Sequence, residues 1–599
     1  TSYLMTKSIR IGGASGFWGD SVIATPQLLN GNSLDFIVYD YLAEITMSIM
    51  ARARSKDPSK GYATDFVSSV MKLNLRQIAD QNIKILSNAG GVNPNACADA
   101  LRELIKEQKL DLKVAVILGD DLMSEKETLN KDKILEMYSG VDFPDPDKIA
   151  SINAYLGAFP IAKALENGAD IVITGRSVDS AVTLGACIYS FGWNENEYDL
   201  LSSGSLAGHI IECGTQSTGG NFTDWEQVSE NLNDIGYPIV EIESSGLFTC
   251  VKSKSSSGIV NIGTVSEQML YEIGDPQAYI LPDVICDFSN VELIEIEKNK
   301  IQVSGAKGYP SPKDYKVSVT YADGFRGGHL CSFVGIDADK KAQVFGDAIF
   351  QRSKTIMRAM NISDFDETSI EVIGNNSQYS IDIDETHANK EVVLKFAAKH
   401  EDIRAIGIML KESVGLGLAT PPGLSGFAGA RPKPSPVVRL FSFLIPKSKV
   451  PIKIIDDKEY DIEVSHGEIY DFNQTIRPSK PEYNDIEEEL IDIPLIDIAY
   501  GRSGDKGDKA NIGIIARDQK YFPALCHYLT EEFVKKSFSK FLKGDIEKFL
   551  LPGSYSINFL LHDVLGGGGP ASLRNDPQGK AYAQILLSRK IPIPKKLLN

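Results

Sequence analysis

The sequence predicts an α/β protein with a large, mostly parallel sheet and flanking helices, extended by a β-rich section and closed by a small α+β domain. Three observations carry that expectation. Up to about residue 190, short apolar runs end in glycine-bearing polar turns and lead into helical patterns, as parallel strands joined by crossovers do. From about Tyr237 to Ile336 strict alternation takes over, as in YKVSVTY (315–321) and VELIEIE (291–297), which marks antiparallel strands. The last hundred or so residues follow a β-β-α-β-α order of their own. At 599 residues the chain exceeds a single core and should divide. The expected division is 1–478 (α/β to about 235, mixed β-rich and helical beyond) and 492–599, with the acidic, proline-bearing stretch 479–489 as linker.

In chain order, Ser8 to Ile11 is a strand that stops at Gly12-Gly13-Ala14-Ser15-Gly16-Phe17-Trp18-Gly19-Asp20. Lys84 to Leu86 ends at Ser87-Asn88-Ala89-Gly90-Gly91. Asn93-Pro94 then reads as a helix cap followed by proline at the first helical position, and Cys97, Leu101, Leu104 and Ile105 form one stripe. Val114 to Leu118 ends at Gly119-Asp120-Asp121. Ile171 to Ile173 runs into Thr174-Gly175-Arg176-Ser177-Val178-Asp179-Ser180. In such sheets ligands bind beyond the carboxyl ends of strands, where helix N-termini offer free N–H groups. Further helices are expected near 344–360 and 387–400, and 415–434 reads as a long ordered loop or lid. In the last unit, strands at 493–499 and 510–516 should flank a tight charged turn, RSGDKGDK (502–509). A helix at 523–536, a strand at 554–561, a four-glycine bend at 566–569 and a helix at 578–587 follow.

Composition removes several classes of function. A formal net charge of −18 argues against a nucleic-acid binder, which needs a basic face. Seven cysteines, scattered and without C-x-x-C pairs, suit a reducing compartment. No run of about 18 apolar residues occurs, so no membrane span or membrane partner is expected. The N-terminal TSYLMTKSIRIGG has neither a signal-peptide core nor an Arg-rich leader. The expected location is the cytoplasm, or the mitochondrial matrix if a presequence has been removed.

The polar stretch from Gly204 to Trp225, GSLAGHIIECGTQSTGGNFTDW, stands out between ordinary helix and strand material. Within it, GHIIECGTQSTGGNFTDW, together with IGGASGFWGDS, SNAGGVNP, TGRSVDS, AYGRSGDKGDKANIG and LGGGGPASLR, resembles the acyclic terpene utilisation (AtuA-like) family over almost the whole chain. The resemblance implies a large N-terminal α/β region and a C-terminal domain of ferredoxin-like fold. It also implies a setting in the breakdown of branched acyclic terpenoids through acyl-CoA intermediates. It assigns no catalytic residues, so the candidates below rest on their chemistry.

His209 and Cys213 are four apart and would face the same way on a short helix capped by Ser205 and ended by Gly214. Three readings compete: an acid/base His beside a nucleophilic or proton-carrying Cys, a pair of metal ligands, or a hydrogen-bonded His beside a core Cys. No partner pair supplies further ligands, so no metal is assigned. Asp120 and Asp179, past strand ends, are candidate general bases. Arg176 with Ser177 would clamp a carboxylate or phosphate through paired hydrogen bonds. Gly13, Ser15, Gly16, Asn88, Gly90, Gly91 and Asn221 supply backbone and amide contacts in the glycine turns, or simply pack there. His329, after Arg326-Gly327-Gly328, could enter the site from the β-rich section. Arg502 and Asp505 belong to a charged turn that either docks on the large domain or meets an anionic ligand. The Gly12–Asp20 spacing fits neither the dinucleotide fingerprint nor a P-loop, so no cofactor is expected, with CoA only as a moiety of the substrate.

The resulting expectation is an enzyme of branched-chain or acyclic terpenoid acyl-CoA or carboxylate catabolism, with lyase- or hydratase-like acid/base chemistry, acting as a homo-oligomer. The alternative is a non-catalytic protein of the same pathway that binds acyl-CoA or organises other enzymes.

Overall fold

A computed structural model describes residues 8–381 and 389–599. Its main sheet has eleven strands. At the centre lie β1 (Ser8–Ser15), β2 (Phe36–Tyr39), β3 (Lys84–Ser87), β6 (Ile171–Thr174) and β4 (Val114–Leu118), side by side in that order. The β1–β2, β2–β3, β3–β6 and β6–β4 junctions are parallel. These strands are almost continuously buried because helices cover both faces. The Cys97, Leu101, Leu104 and Ile105 stripe is buried on helix Pro94–Glu107 as expected, although the Asn93 amide bonds the carbonyls of Pro58 and Lys60 rather than capping the helix.

The sheet as a whole is not mostly parallel. Pro238–Glu243, Phe248–Lys252, Lys300–Ser304 and Glu292–Glu297 extend it antiparallel beyond β1, and Ile452–Ile455 with Glu459–Ile462 do so beyond β4. The connections explain the difference. Links as short as the one between Glu243 and Phe248 can only turn back, whereas a parallel neighbour needs a crossover of about a dozen residues or more.

β5 (Ile149–Ala154) leaves this sheet and pairs with a 21-residue strand, Asp314–Val334, the spine of a second sheet. The spine also pairs with Glu391–His400, Ser435–Pro446 and Leu424–Phe427. Of the helix expected at 387–400, residues 387 and 388 lie outside the described residues, and Glu391–His400 is a strand. Its first half alternates buried and open positions, and its second half is covered on both sides, which the sequence pattern does not distinguish from a helical face. Helix Ala338–Ala359 lies on this sheet near the expected place, and the glycine-rich 415–434 stretch contains the edge strand Leu424–Phe427.

Two further expectations are corrected. The helix in the 204–225 segment begins at Tyr198 and ends at Ile211, so Ser205 is internal, its hydroxyl donating to the Leu201 carbonyl at 2.8 Å. That bond four residues back lets a serine sit inside a helix. In the C-terminal domain the charged run is mostly strand. Ala499–Lys506 and Lys509–Ala516 form a hairpin that turns only at Gly507-Asp508, with Gly507 at φ +68°. The four-stranded antiparallel sheet also contains Ile546–Leu551, absent from the expected order, beside Ser556–Leu561. Its core packs the domain's own helices on one face. The other face lies on helix Ile262–Leu270 of the large region, close enough that a Cβ on Gly513 would fall 2.6 Å from the Leu270 Cβ.

Candidate active site

The turn after β6 is fixed from below by Asp120. Its carboxylate accepts from the Arg176 amide at 2.8 Å and from Asn153 Nδ2 at 2.9 Å, and it fills the space a side chain on Gly175 would need. Burial pushes this carboxyl up to about 7. With its backbone so held, Arg176 sends Nη1 to Asp179 Oδ1 at 3.0 Å and to the Ser177 carbonyl at 3.2 Å. Its guanidinium lies over the Tyr155 ring, 4.6 Å from the centroid. The Tyr155 hydroxyl donates to Glu44 at 2.7 Å. Beside Arg176 is a small void of about 10 Å³, close to the room one water needs, bordered by Glu44, Ser151, Asn153, Tyr155, Ser318 and Thr320 among others.

Helix Tyr198–Ile211 crosses the start of the helix that follows Asp179. Gly208 permits the crossing, since a Cβ there would lie 3.0 Å from Ser180. At its C-terminal end, His209 Nδ1 lies 2.9 Å from Glu212 Oε1. His209 Nε2 is buried without a hydrogen-bond partner. Burial lowers the imidazole to about 4, and the charge of Lys506 adds to that effect, so the ring is neutral at pH 7. Burial pushes Glu212 well above the usual carboxylate range, and the charges of Asp179 and Glu272 push it further. The Cys213 thiol is likewise raised by burial and by Glu212 and Glu272, which disfavours a thiolate nucleophile.

The third wall comes from the junction with the C-terminal domain. Glu272 sits in the left-handed region at φ +58°, where its amide donates to Asn511 Oδ1 at 2.9 Å. Its carboxylate meets Lys580 Nζ at 2.8 Å, and Lys580 also reaches Asp505 Oδ1 at 3.1 Å and the Tyr271 hydroxyl. Lys506 lies over the Tyr279 ring, 5.3 Å from its centroid, and the same tyrosine faces His209 edge-on. Asp179, Glu272, Lys580 and Asp505 keep 35%, 32%, 39% and 24% of their side-chain surface open. They are therefore partly open to solvent rather than sealed in a core. Asp40, Asp179 and Glu212 are all raised, by burial first; repulsion from neighbouring carboxylates comes next for Asp40 and Glu212, whereas Arg176 draws Asp179 partly back down before Glu44 and Glu272 push it up.

Of the residues singled out in the sequence, His209, Cys213, Arg176, Asp179 and Asp505 belong to this cluster of interacting groups. Asp179 links the two halves, pairing with Arg176 and acting on His209. Asp120 sits beneath as a buttress. Ser177 is buried with its hydroxyl unpartnered. Asn88 holds Asp40 through Nδ2 at 2.7 Å and accepts from the Tyr41 amide. Ser15 donates to the Asp40 carbonyl. The early glycines touch protein: a Cβ on Gly13 would strike the Ile211 carbonyl and one on Gly16 the Cys213 backbone, while the Gly16 amide is bound to Asp20. Gly90 likewise lies against Thr174 and Pro94, and Gly91 against Met50 and Gly61. Arg502 is buried between domains, donating to Glu267, Gln216 and the Gly220 carbonyl. Asn221 supports the same Gln216. His329 belongs to the second sheet, where its ring packs on Phe427 and reaches the Ala428 carbonyl.

Sequence reasoning passed over Glu212, Glu272, Asp40, Lys506 and Lys580. Glu212 had a legible signal, three residues after His209 on one helical face. Lys506 stood in a run read as docking on the large domain or meeting an anionic ligand. Asp40, Glu272 and Lys580 stand in no motif, and only packing brings them in. Among the described residues, no group of three or more His, Cys, Asp or Glu side chains is placed to hold a metal ion, and no helix is long and apolar enough to cross a membrane.

The profile of a family described as acyclic terpene utilisation family protein AtuA matches residues 9–455. A second, described as the AtuA ferredoxin-like domain, matches residues 493–592. No curated protein matches the chain.

Proposed function

From the chain's membership of the acyclic terpene utilisation family, which ties it to the use of acyclic terpenes, we propose an enzyme that performs acid–base chemistry on a branched carboxylic acid or its CoA thioester. The reaction class is lyase or hydratase. The observation that carries this reading is the Glu212–His209 pair, at 2.9 Å, beside a second raised carboxyl at Asp179. Adding water across a double bond needs one group to take a proton from water and another to give a proton to carbon; elimination runs the same transfers backwards. Two neighbouring carboxyls that cannot both ionise easily hold one proton between them and can serve as donor and acceptor. The neutral imidazole relays or orients that proton. Arg176 supplies the anion-binding charge.

Incubating the purified protein with branched enoyl- and hydroxyacyl-CoAs and following mass by mass spectrometry tests the reading. A product 18 Da heavier or lighter supports it, and Glu212→Gln should remove that product. Retention of unchanged ligand across the series would instead favour a binding protein of the same pathway, a reading to which the deep burial of His209 also lends weight.

A further inference from the structure

His209 and Glu212 both belong to the large region, yet two of the cations beside them, Lys506 and Lys580, arrive on the C-terminal domain. Lys580 is committed to Glu272 at 2.8 Å and to Asp505 at 3.1 Å. Arg176, the large region's own cation, is committed to Asp179 at 3.0 Å. Lys506 differs: among the described residues it makes no salt bridge and its ammonium donates to no group. Its Nζ lies instead 5.3 Å from the centroid of the Tyr279 ring. The same ring meets the His209 imidazole edge-on, with centroids 6.1 Å apart. A cation, an aromatic ring and an imidazole thus stand in series across the domain junction.

The hairpin that carries Lys506 has little freedom. Before it, Arg502 is bound to Glu267 at 3.2 Å and the Ser503 hydroxyl donates to the Gly579 carbonyl at 2.7 Å. Gly504 lies so close to Glu272 that a Cβ there would fall 2.7 Å from Cγ. After it, Asn511 Nδ2 donates to the Leu270 carbonyl at 2.6 Å. Lys509, opposite Lys506 in the hairpin, turns away to the Tyr138 ring. The Lys506 ammonium therefore acts on the imidazole as a fixed charge, opposing a second positive charge on the ring, an effect exceeded only by burial. Other groups facing His209 do not oppose it: Asp179 and Glu272 favour a charged ring, Glu212 is driven toward its acid form, and burial keeps Tyr279 a phenol and Cys213 a thiol.

Resting on the acid–base reading above, we propose that Lys506 is a positioning residue supplied by the C-terminal domain, whose unpaired ammonium restricts the His209–Glu212 pair to a single proton. One proton is what a donor–acceptor pair needs, because with two neither group can accept. Seating of the C-terminal domain extends that state to lower pH, although both members of the pair lie in the large region.

The test is NMR titration of the full chain with isotope-labelled histidine, His209 being assigned by the signal that His209→Gln removes. Lys506→Met and Lys506→Arg both keep an aliphatic stem over Tyr279, but only arginine keeps the charge. In Lys506→Met the ring should take its second proton about one pH unit higher than in wild type, and Lys506→Arg should stay at the wild-type position. Lys506→Gln, a second neutral variant, should move as Lys506→Met does and replaces it if that variant fails to fold. An equal rise in Lys506→Met and Lys506→Arg would mean that the side chain only excludes water. No rise in either neutral variant would mean that its charge does not reach the ring. Each of these two results overturns the role given to Lys506. The readout uses no substrate, so a chain that titrates as expected but forms no product from any acyl-CoA would overturn the acid–base reading and leave the role of Lys506 standing.

Discussion

His209 Nδ1 lies 2.9 Å from Glu212 Oε1, three residues along the same helix end, with side chains only 4% and 11% exposed. Neither group has its ordinary proton affinity: the imidazole is driven toward its neutral form and the carboxyl toward its acid form, burial being the larger cause for each.

The first prediction concerns stability and pH. The folded protein holds His209 at about 4 against 6.5 unfolded, so its contribution is complete above about pH 6.5 and is lost as pH falls toward 4. His209→Gln has no group that titrates in this range. Urea unfolding at pH 7 and pH 5 should find the variant gaining about 2 kcal/mol relative to wild type at the lower pH. An unchanged difference would mean the ring is not held neutral.

Arg502 against Glu267 offers a second case. The two side chains are 5% and 0% exposed, 3.2 Å apart, and Arg502→Ala leaves a carboxylate stranded between domains. The expected cost is about 3 kcal/mol near pH 8. Glu267 is raised to about 7 by burial even beside Arg502, so the folded state accepts its proton early. Stability from that proton is fullest below the ordinary carboxylate value and disappears as pH rises through about 7. The penalty for Arg502→Ala should therefore shrink at pH 6, as measured by thermal or urea unfolding, and Glu267→Gln in the same chain should reduce it further.

Glu272 permits a backbone test. At φ +58° a residue with a Cβ carries strain that glycine does not. Glu272→Ala and Glu272→Gly both lose the Lys580 pair, yet the glycine variant should be the more stable by about 1 kcal/mol. Equal stability would indicate that the position relaxes.

For activity, Glu212→Gln should lower kcat by about 10²–10⁴ on whichever branched acyl substrate is turned over, the usual range for losing a general acid or base. Cys213→Ser should retain most of it, because the thiol is held protonated. The reverse ranking, with Cys213→Ser inactive, would move the chemistry to the sulfur.

What the sequence determined by itself was local and repetitive. Apolar runs ending in glycine turns placed the central strands, alternation placed the antiparallel section, the stripe from Cys97 to Ile105 placed a helix, and six ordered segments carried the family. Each depends on side-chain period or on backbone geometry, which neighbouring residues set. Tertiary structure alone decided which way strands pair when links are short, that Arg502 joins two domains through Glu267, and that Glu272, Lys506 and Lys580 meet Asp179 and Glu212. Those residues lie hundreds of positions apart in part, and a carboxyl's proton affinity depends on which charges and how little water surround it in space. Chain neighbours do not encode that environment; packing creates it.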